Sequence, residues 1–226
     1  MKNLTYFIIG VAFFISVLAV KPTVAQDPVA VDGKHYAVEF ENSSVRVLRV
    51  RYGAKEKSVM HSHPDGVAIS LSATRGRFTF PNGKPQLRTF KTGQVRWTPA
   101  ETHLPQNLNN KPFEVILVEL KSGGSGSDAN SAKDDPKHHK VEFENDRVRV
   151  LRTRLAPHEK TLMHSHPDNV VIFLTNGRFR STSADGKAMD VERKAGDVQW
   201  RDALTHQSEN TGKAPAETIV IELKGK

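Results

Sequence analysis

Cysteine is absent from all 226 residues, which removes disulfides, thiolate metal ligands and thiol nucleophiles together. Each folded unit must therefore hold together through its own core. Helical periodicity is almost missing, so a helix bundle is a poor fit. Dense basic arms are missing too. The formal charge is +8, but the arginines alternate along strand-like stretches such as "VRVLRVR", as a solvated face does. Nucleic acid is not an expected partner, and the charge implies at most a weak pull toward acidic envelope polymers. With 37% hydrophobic and 26% charged residues, the composition is that of a globular chain, long enough for one large or two small domains.

The first 25 residues stand apart. "MKN" precedes the apolar run "FIIGVAFFISVLAV", and "KPTVAQ" follows it. One early lysine, a short apolar core and small residues at Thr23 and Ala25 read as a secretory signal, cut after Ala25. The alternative is an uncleaved anchor. Fourteen residues at about 1.5 Å each fall short of the ~30 Å bilayer core, which favours the signal. The expected location is periplasmic or secreted, with no stable membrane insertion after cleavage. No cysteine follows the run, so a lipoprotein box is excluded.

A duplication governs the remainder. "VEFENSSVRVLRVR" from Val38 returns as "VEFENDRVRVLRTR" from Val141, an offset of 103 that also relates Gly93 to Gly196 and Trp97 to Trp200. One two-residue difference is expected near "SATRG" against "TNG". The division is then 1–25 signal, 26–121 first module, 122–137 a flexible linker ("SGGSGSDANSAKDDPK") and 138–226 second module. Within each module short β-branched and aromatic runs alternate with turn signals, including hairpins at "PNGK" and "ADGK". The expected fold is all-β: two tandem jelly-roll barrels, with "FEVILVEL" and "ETIVIEL" as buried closing strands.

The strand-like stretch "VMHSHPDGVAISL" carries two histidines, and "LMHSHPDNVVIFL" repeats them. Side chains i and i+2 share a strand face, so His61 projects with His63 and His164 with His166. Proline follows each pair and ends the pairing. A third histidine comes 40 residues later in both modules, at His103 and His206. Imidazole is the commonest metal ligand, and three of them leave positions open for water or substrate.

"GAKEKSVMHSH" with "GQVRWTPAETHLPQN", and "HSH" with "GDVQWRDALTHQSEN", resemble the two signature motifs of the cupin superfamily. The resemblance spans both modules and implies an exported bicupin. Its small barrels would hold one divalent ion each, through His61, His63 and His103 and through His164, His166 and His206. Iron is favoured, with zinc, manganese, nickel or copper as alternatives. The family's first motif ordinarily adds a glutamate; here that place holds Val67 and Val170. The second motif lacks its usual glycine, with Glu101 in that region of the first copy and Leu204 in the second. Three neutral imidazoles leave the ion's charge uncompensated, which favours an anionic ligand.

The expected function is a metal-dependent (iron) dioxygenase acting on a small anionic substrate. The alternative is a non-catalytic metal or small-ligand binding module of the envelope. Homo-oligomerisation is left open. Glu101 is the candidate catalytic carboxylate, with a plain solvent-facing loop role as its alternative. The sites are expected to be unequal, because Ser70 faces Phe173 and Glu101 faces Leu204 in the alignment of the copies. Trp97 and Trp200 are expected in the core, Asp65 and Asp168 in turns, and Asn107 and Asn210 as loop braces.

Overall fold

The computed structural model describes residues 26–225 apart from 125, 126 and 128, so the signal expected over 1–25 lies outside the described residues. The first module opens with a helical turn, α1 (Pro28–Val31). Nine strands follow: β1 (Tyr36–Glu41), β2 (Val45–Tyr52), β3 (His61–His63), β4 (Gly66–Ser70), β5 (Thr74–Thr79), β6 (Pro85–Phe90), β7 (Val95–Thr98), β8 (Glu101–Asn107) and β9 (Phe113–Leu120). The second module repeats the order with α2 (Ser131–Asp134), β10 (His139–Glu144), β11 (Val148–Leu155), β12 (His164–His166), β13 (Asn169–Phe173) and β14 (Gly177–Ser183). It ends with β15 (Ala188–Arg193), β16 (Val198–Arg201), β17 (Leu204–Asn210) and β18 (Ala216–Leu223). Each module is a sandwich of a five-stranded sheet (β1-β2-β9-β4-β7 or β10-β11-β18-β13-β16) and a four-stranded one (β3-β8-β5-β6 or β12-β17-β14-β15). The expected all-β tandem jelly roll is what forms.

The near-continuous apolar strands have a physical cause. Each five-stranded sheet is buried on both faces, which removes the usual polar alternation. On β9, Ile116, Val118 and Leu120 join Val45, Val47, Val67 and Ile69 in a core shared with Val148, Val150, Val170, Ile172, Ile219 and Ile221 of the second module. Leu117 points the other way, into the barrel with Tyr36, Leu48, Val50 and Tyr52. The two large sheets thus pack face to face, and β9 and β18 are central rather than closing strands. Trp97 and Trp200 pack against this shared core, and Trp200 stacks on Phe40 with centroids 6.0 Å apart.

Polar contacts cross the interface in matched pairs. Arg49 Nη2 donates to the Gly196 carbonyl at 2.6 Å, and Arg152 Nη2 to the Gly93 carbonyl at 2.7 Å. Both glycines have positive φ, +90° and +73°, which other residues adopt at a cost. The hairpin glycines Gly83 and Gly186 are likewise left-handed, as the turn signals require.

Two expectations are corrected. No insertion separates the copies: Gly76 pairs with Asn107 and Phe179 with Asn210, so the offset of 103 holds through β5 and β14. Gly76 therefore corresponds to Phe179, and Phe78 to Ser181. The stretch 122–137 is not linker throughout either. Its end forms α2, the counterpart of α1, where Ser131 and Asp135 are buried and Asn130 caps the turn. Asp65 and Asp168 do act in turns, accepting from the Ala100 and Ala203 amides at 2.8 and 2.9 Å. Asn107 and Asn210 brace loops by donating to backbone carbonyls. Among the described residues, no helix is long and apolar enough to cross a membrane.

Candidate metal centres

Strand pairing assembles the histidines. β3 runs antiparallel to β8 with His61 opposite His103, and β12 to β17 with His164 opposite His206. His63 and His166 share the inward face two residues along. In the first module the rings of His61, His63 and His103 lie 4.9–5.3 Å apart, and one nitrogen from each falls within 4.8 Å of the others. In the second, His164 sits 4.7 Å from both His166 and His206 by ring centroids. All six are buried.

The partners of the outer nitrogens decide what the inner ones can do. His61 Nδ1–H donates to the Val59 carbonyl at 2.8 Å, and His164 Nδ1–H to the Leu162 carbonyl at 2.7 Å. His63 and His166 donate to Glu119 and Glu222, each at 2.7 Å, and His103 to Glu101 at 2.7 Å. These acceptors cannot donate, so the ring proton stays on Nδ1 and the lone pair sits on Nε2, facing inward. His206 Nδ1 has the Ser181 hydroxyl at 3.1 Å. Carboxylates or carbonyls on the far nitrogen are the usual supports of metal-binding histidines.

Burial, reinforced by the neighbouring imidazoles, lowers His61 to about 4. Burial and then His164 lower His166 to about 3, and burial followed by Arg201 lowers His206 to about 2. Neutral imidazoles are what a metal needs. In the second centre, His164 Nε2 and His166 Nε2 lie 2.9 Å apart. Two lone pairs so close repel unless a cation sits between them. The inward nitrogens of His61 and His206 are buried with no protein partner, and buried polar atoms of this kind ordinarily have one. The residues fit a divalent ion in both modules.

Outside the rings lies a set of ion pairs. Glu119 is held by Arg46 at 2.6 Å and Glu222 by Arg149 at 3.2 Å and Ser131 at 2.7 Å. Burial pushes the Glu222 carboxyl up, against the pull of Ser131 and Arg149. Glu101 is gripped by both guanidinium ends of Arg88, at 2.7 and 2.9 Å, and is only 16% exposed. Burial raises its pKa, but Arg88 and His103 prevail and hold it at about 2. A carboxylate so acidified is a weak base whose oxygens are already committed. Its geometry serves to orient His103 rather than to take a proton.

Val67 and Val170, where a glutamate ligand was missed, face the other module, and the cavity-lining neighbours are Ala68 and Val171. Neither position offers a carboxylate. The sequence reading overlooked His139, buried on β10 with its ring 4.4 Å from His164. It also overlooked Glu119 and Glu222. Repetition could have exposed the carboxylates, because both sit in apolar strands at the same offset. His139 has Tyr36 as its counterpart and therefore no repeat signal.

The cavities differ as Phe173 against Ser70 suggests. The first is about 100 Å³, lined by Ser70, Phe78, Phe90, Arg88, Arg96 and His103 among others. Arg96 lies over the Phe90 ring at 4.7 Å, and among the described residues no carboxylate pairs with it. The second is about 50 Å³ and contains Phe173, packed on Phe179, with Arg201 beside the histidines. Burial and Arg193 lower Arg201 to about 10.

Two jelly-roll sandwiches, each with a histidine cluster at the same place, give the described residues the fold of a tandem cupin. Residues 151–222 match the family described as "Cupin domain". Among solved structures the chain resembles AerE from Microcystis aeruginosa, at TM-score 0.63 and 12% identity, over 84% of this chain and 92% of that one. It also resembles a single-residue variant of oxalate decarboxylase from Bacillus subtilis (TM-score 0.60, 12% identity, 84% and 72% covered). A third is a cupin 2 conserved barrel domain protein from Leptotrichia buccalis (TM-score 0.54, 13% identity, 84% and 88% covered). At such identities the likeness concerns the fold alone. Among curated protein sequences none matches this chain.

Proposed function

We propose that the protein is an exported metal-dependent oxygenase whose first module acts on a small anionic substrate. One observation carries this reading: three imidazoles converge beside a cavity of about 100 Å³ that also holds Arg96, a cation without a carboxylate partner among the described residues. His61, His63 and His103 would hold the ion. Iron bound there supplies a redox-active Lewis acid. Arg96 attracts the substrate's negative charge toward the histidines and fixes its orientation. Phe78 and Phe90 line the cavity and limit water, which strengthens that attraction. Arg88 and Glu101 hold His103 in place, and Glu119 with Arg46 does the same for His63. Fold likeness does not supply the reaction, because one fold hosts many chemistries.

The test is oxygen uptake by iron-loaded protein over β-diketones, thiols and small dicarboxylates. Substrate-dependent uptake that disappears with His61→Ala and His63→Ala is expected. Tight retention of one unaltered ligand, without uptake, would instead support the binding-module reading. Export belongs to the same proposal and rests on residues 1–25. An intact mass beginning at Gln26 in the envelope or medium is expected, and a full-length membrane-extracted chain would contradict it.

A further inference from the structure

In both modules a side chain on the first strand leans against the histidine cluster, and the two copies differ there. β1 supplies Tyr36 and β10 supplies His139. We propose that His139 is a fourth metal ligand, which makes the second centre a closed four-imidazole site and leaves the first an open three-imidazole site. The inference rests on the metal-binding reading above but concerns a residue outside both histidine motifs.

His139 is 4% exposed, and one of its ring nitrogens lies within 4.8 Å of nitrogens from His164 and His166. Its orientation is set by α2. The Asp135 carbonyl at the end of that turn accepts the His139 amide at 3.1 Å and the His139 Nδ1–H at 3.3 Å. A carbonyl only accepts, so the His139 lone pair sits on Nε2, as it does for His164 and His166. His206 lies beside them, with its buried Nε2 lacking any protein partner, and is the remaining donor the proposal calls on. His139, His164 and His166 thus bring one nitrogen each within 4.8 Å of the others, and the His206 ring borders those of His164 and His166 at 4.7 and 5.4 Å.

The first module is built otherwise. Tyr36 meets His61 edge-on at 4.8 Å, and its hydroxyl is tied to the Tyr52 hydroxyl at 2.9 Å. Leu155 replaces Tyr52 in the second module, so a tyrosine at 139 would lack that partner. The aromatic pair and the fourth imidazole are alternative ways to fill one place.

Four neutral nitrogen donors suit zinc, cobalt, nickel or copper and disfavour magnesium or calcium. Four ligands complete a tetrahedral shell, the arrangement of structural sites, whereas a reactive site keeps a position free. The smaller second cavity, filled by Phe173, agrees. The second centre would therefore retain a metal and stabilise its module, and substrate chemistry would fall to the first.

The test uses the full chain with His61→Ala and His63→Ala, loaded with cobalt(II) so that only the second centre is read. X-ray absorption should give four imidazole nitrogens, and the visible spectrum should be that of tetrahedral cobalt and should not respond to azide. Adding His139→Phe should weaken cobalt binding by more than the roughly 10–100-fold typical of losing an outer partner, and should make the spectrum azide-sensitive. Three imidazoles plus oxygen in the parent, or unchanged affinity in the His139→Phe chain, would overturn the proposal. The absorption measurement needs no change at His139, so it decides the matter even if that variant fails to fold. No cobalt bound at either centre of the unaltered chain would sink the metal-binding reading itself.

Discussion

Replacing Glu119 by glutamine tests the outer support of the first centre with minimal change of shape. Glu119 accepts from His63 Nδ1 at 2.7 Å through one oxygen and from Arg46 at 2.6 Å through the other, with only 2% of its side chain exposed. A carboxamide cannot serve both donors. Its oxygen toward His63 leaves an NH2 group facing Arg46, donor against donor. Its NH2 toward His63 moves the ring proton to Nε2 and removes the lone pair a metal needs. Loss of such an outer partner costs about 10–100-fold in metal affinity, or about 1.4–2.7 kcal/mol. The metal-free fold should suffer as well. Breaking a buried ion pair costs about 3–5 kcal/mol, and because Arg46 also pairs with Asp27, the lower end applies. In a chain of this size that is a fall in Tm of roughly 6–12 °C. The assay is zinc competition against a chromophoric chelator, in a chain whose second centre is removed by His164→Ala and His166→Ala. Affinity within twofold of the parent would refute the claim that Glu119 sets the His63 tautomer.

Phe173→Ser should enlarge the second cavity toward the first, and Ser70→Phe should close the first. Anion binding measured by calorimetry should rise in the former and disappear in the latter, and no change in either would remove cavity size as the cause of inequality. Chelator-treated protein should lose stability as pH falls below about 6.5, where unfolded histidines take up protons that native His61 resists until about 4. The contribution is fully present above 6.5, amounts to roughly 3 kcal/mol for His61, and is lost as pH falls through 4. Urea midpoints that stay flat from about pH 7.5 to 4.5 would contradict it. Ile69→Ala and Ile172→Ala, on opposite sides of the inter-module core, should each cost about 2–5 kcal/mol and leave one unfolding transition. Two separate transitions in the parent would mean that the modules do not share a core.

Much of the fold could be read from the chain because it was written twice. The HSH dyads, the later histidines and the glycine turns kept one spacing in both copies, and strand pairing brings them together as period-two alternation requires. The histidine clusters were legible for that reason. What stayed hidden lay where the copies disagree or where burial is two-sided. His139 has a tyrosine for its twin, and it reaches His164 only through the pairing of sheets in space. Glu119 and Glu222 sit in strands whose near-continuous apolar character reflects packing against the other module, and that pattern carries no sign of which carboxylate turns toward the histidines. The gap expected near "SATRG" came from matching glycines, Gly76 to Gly177, when the ladder matches Gly76 to Phe179. The segment before β10 read as linker from its composition, although Asn130 caps a turn and Asp135 orients two histidines there.

On the reading above, the chain holds two histidine metal centres of different coordination. Anomalous scattering from crystals of the metal-loaded full chain tests it most directly. Two peaks are expected, one among His61, His63 and His103 with an exchangeable ligand beside it, and one among His139, His164, His166 and His206 with none. Peaks elsewhere, or equal three-histidine coordination in both modules, would contradict it.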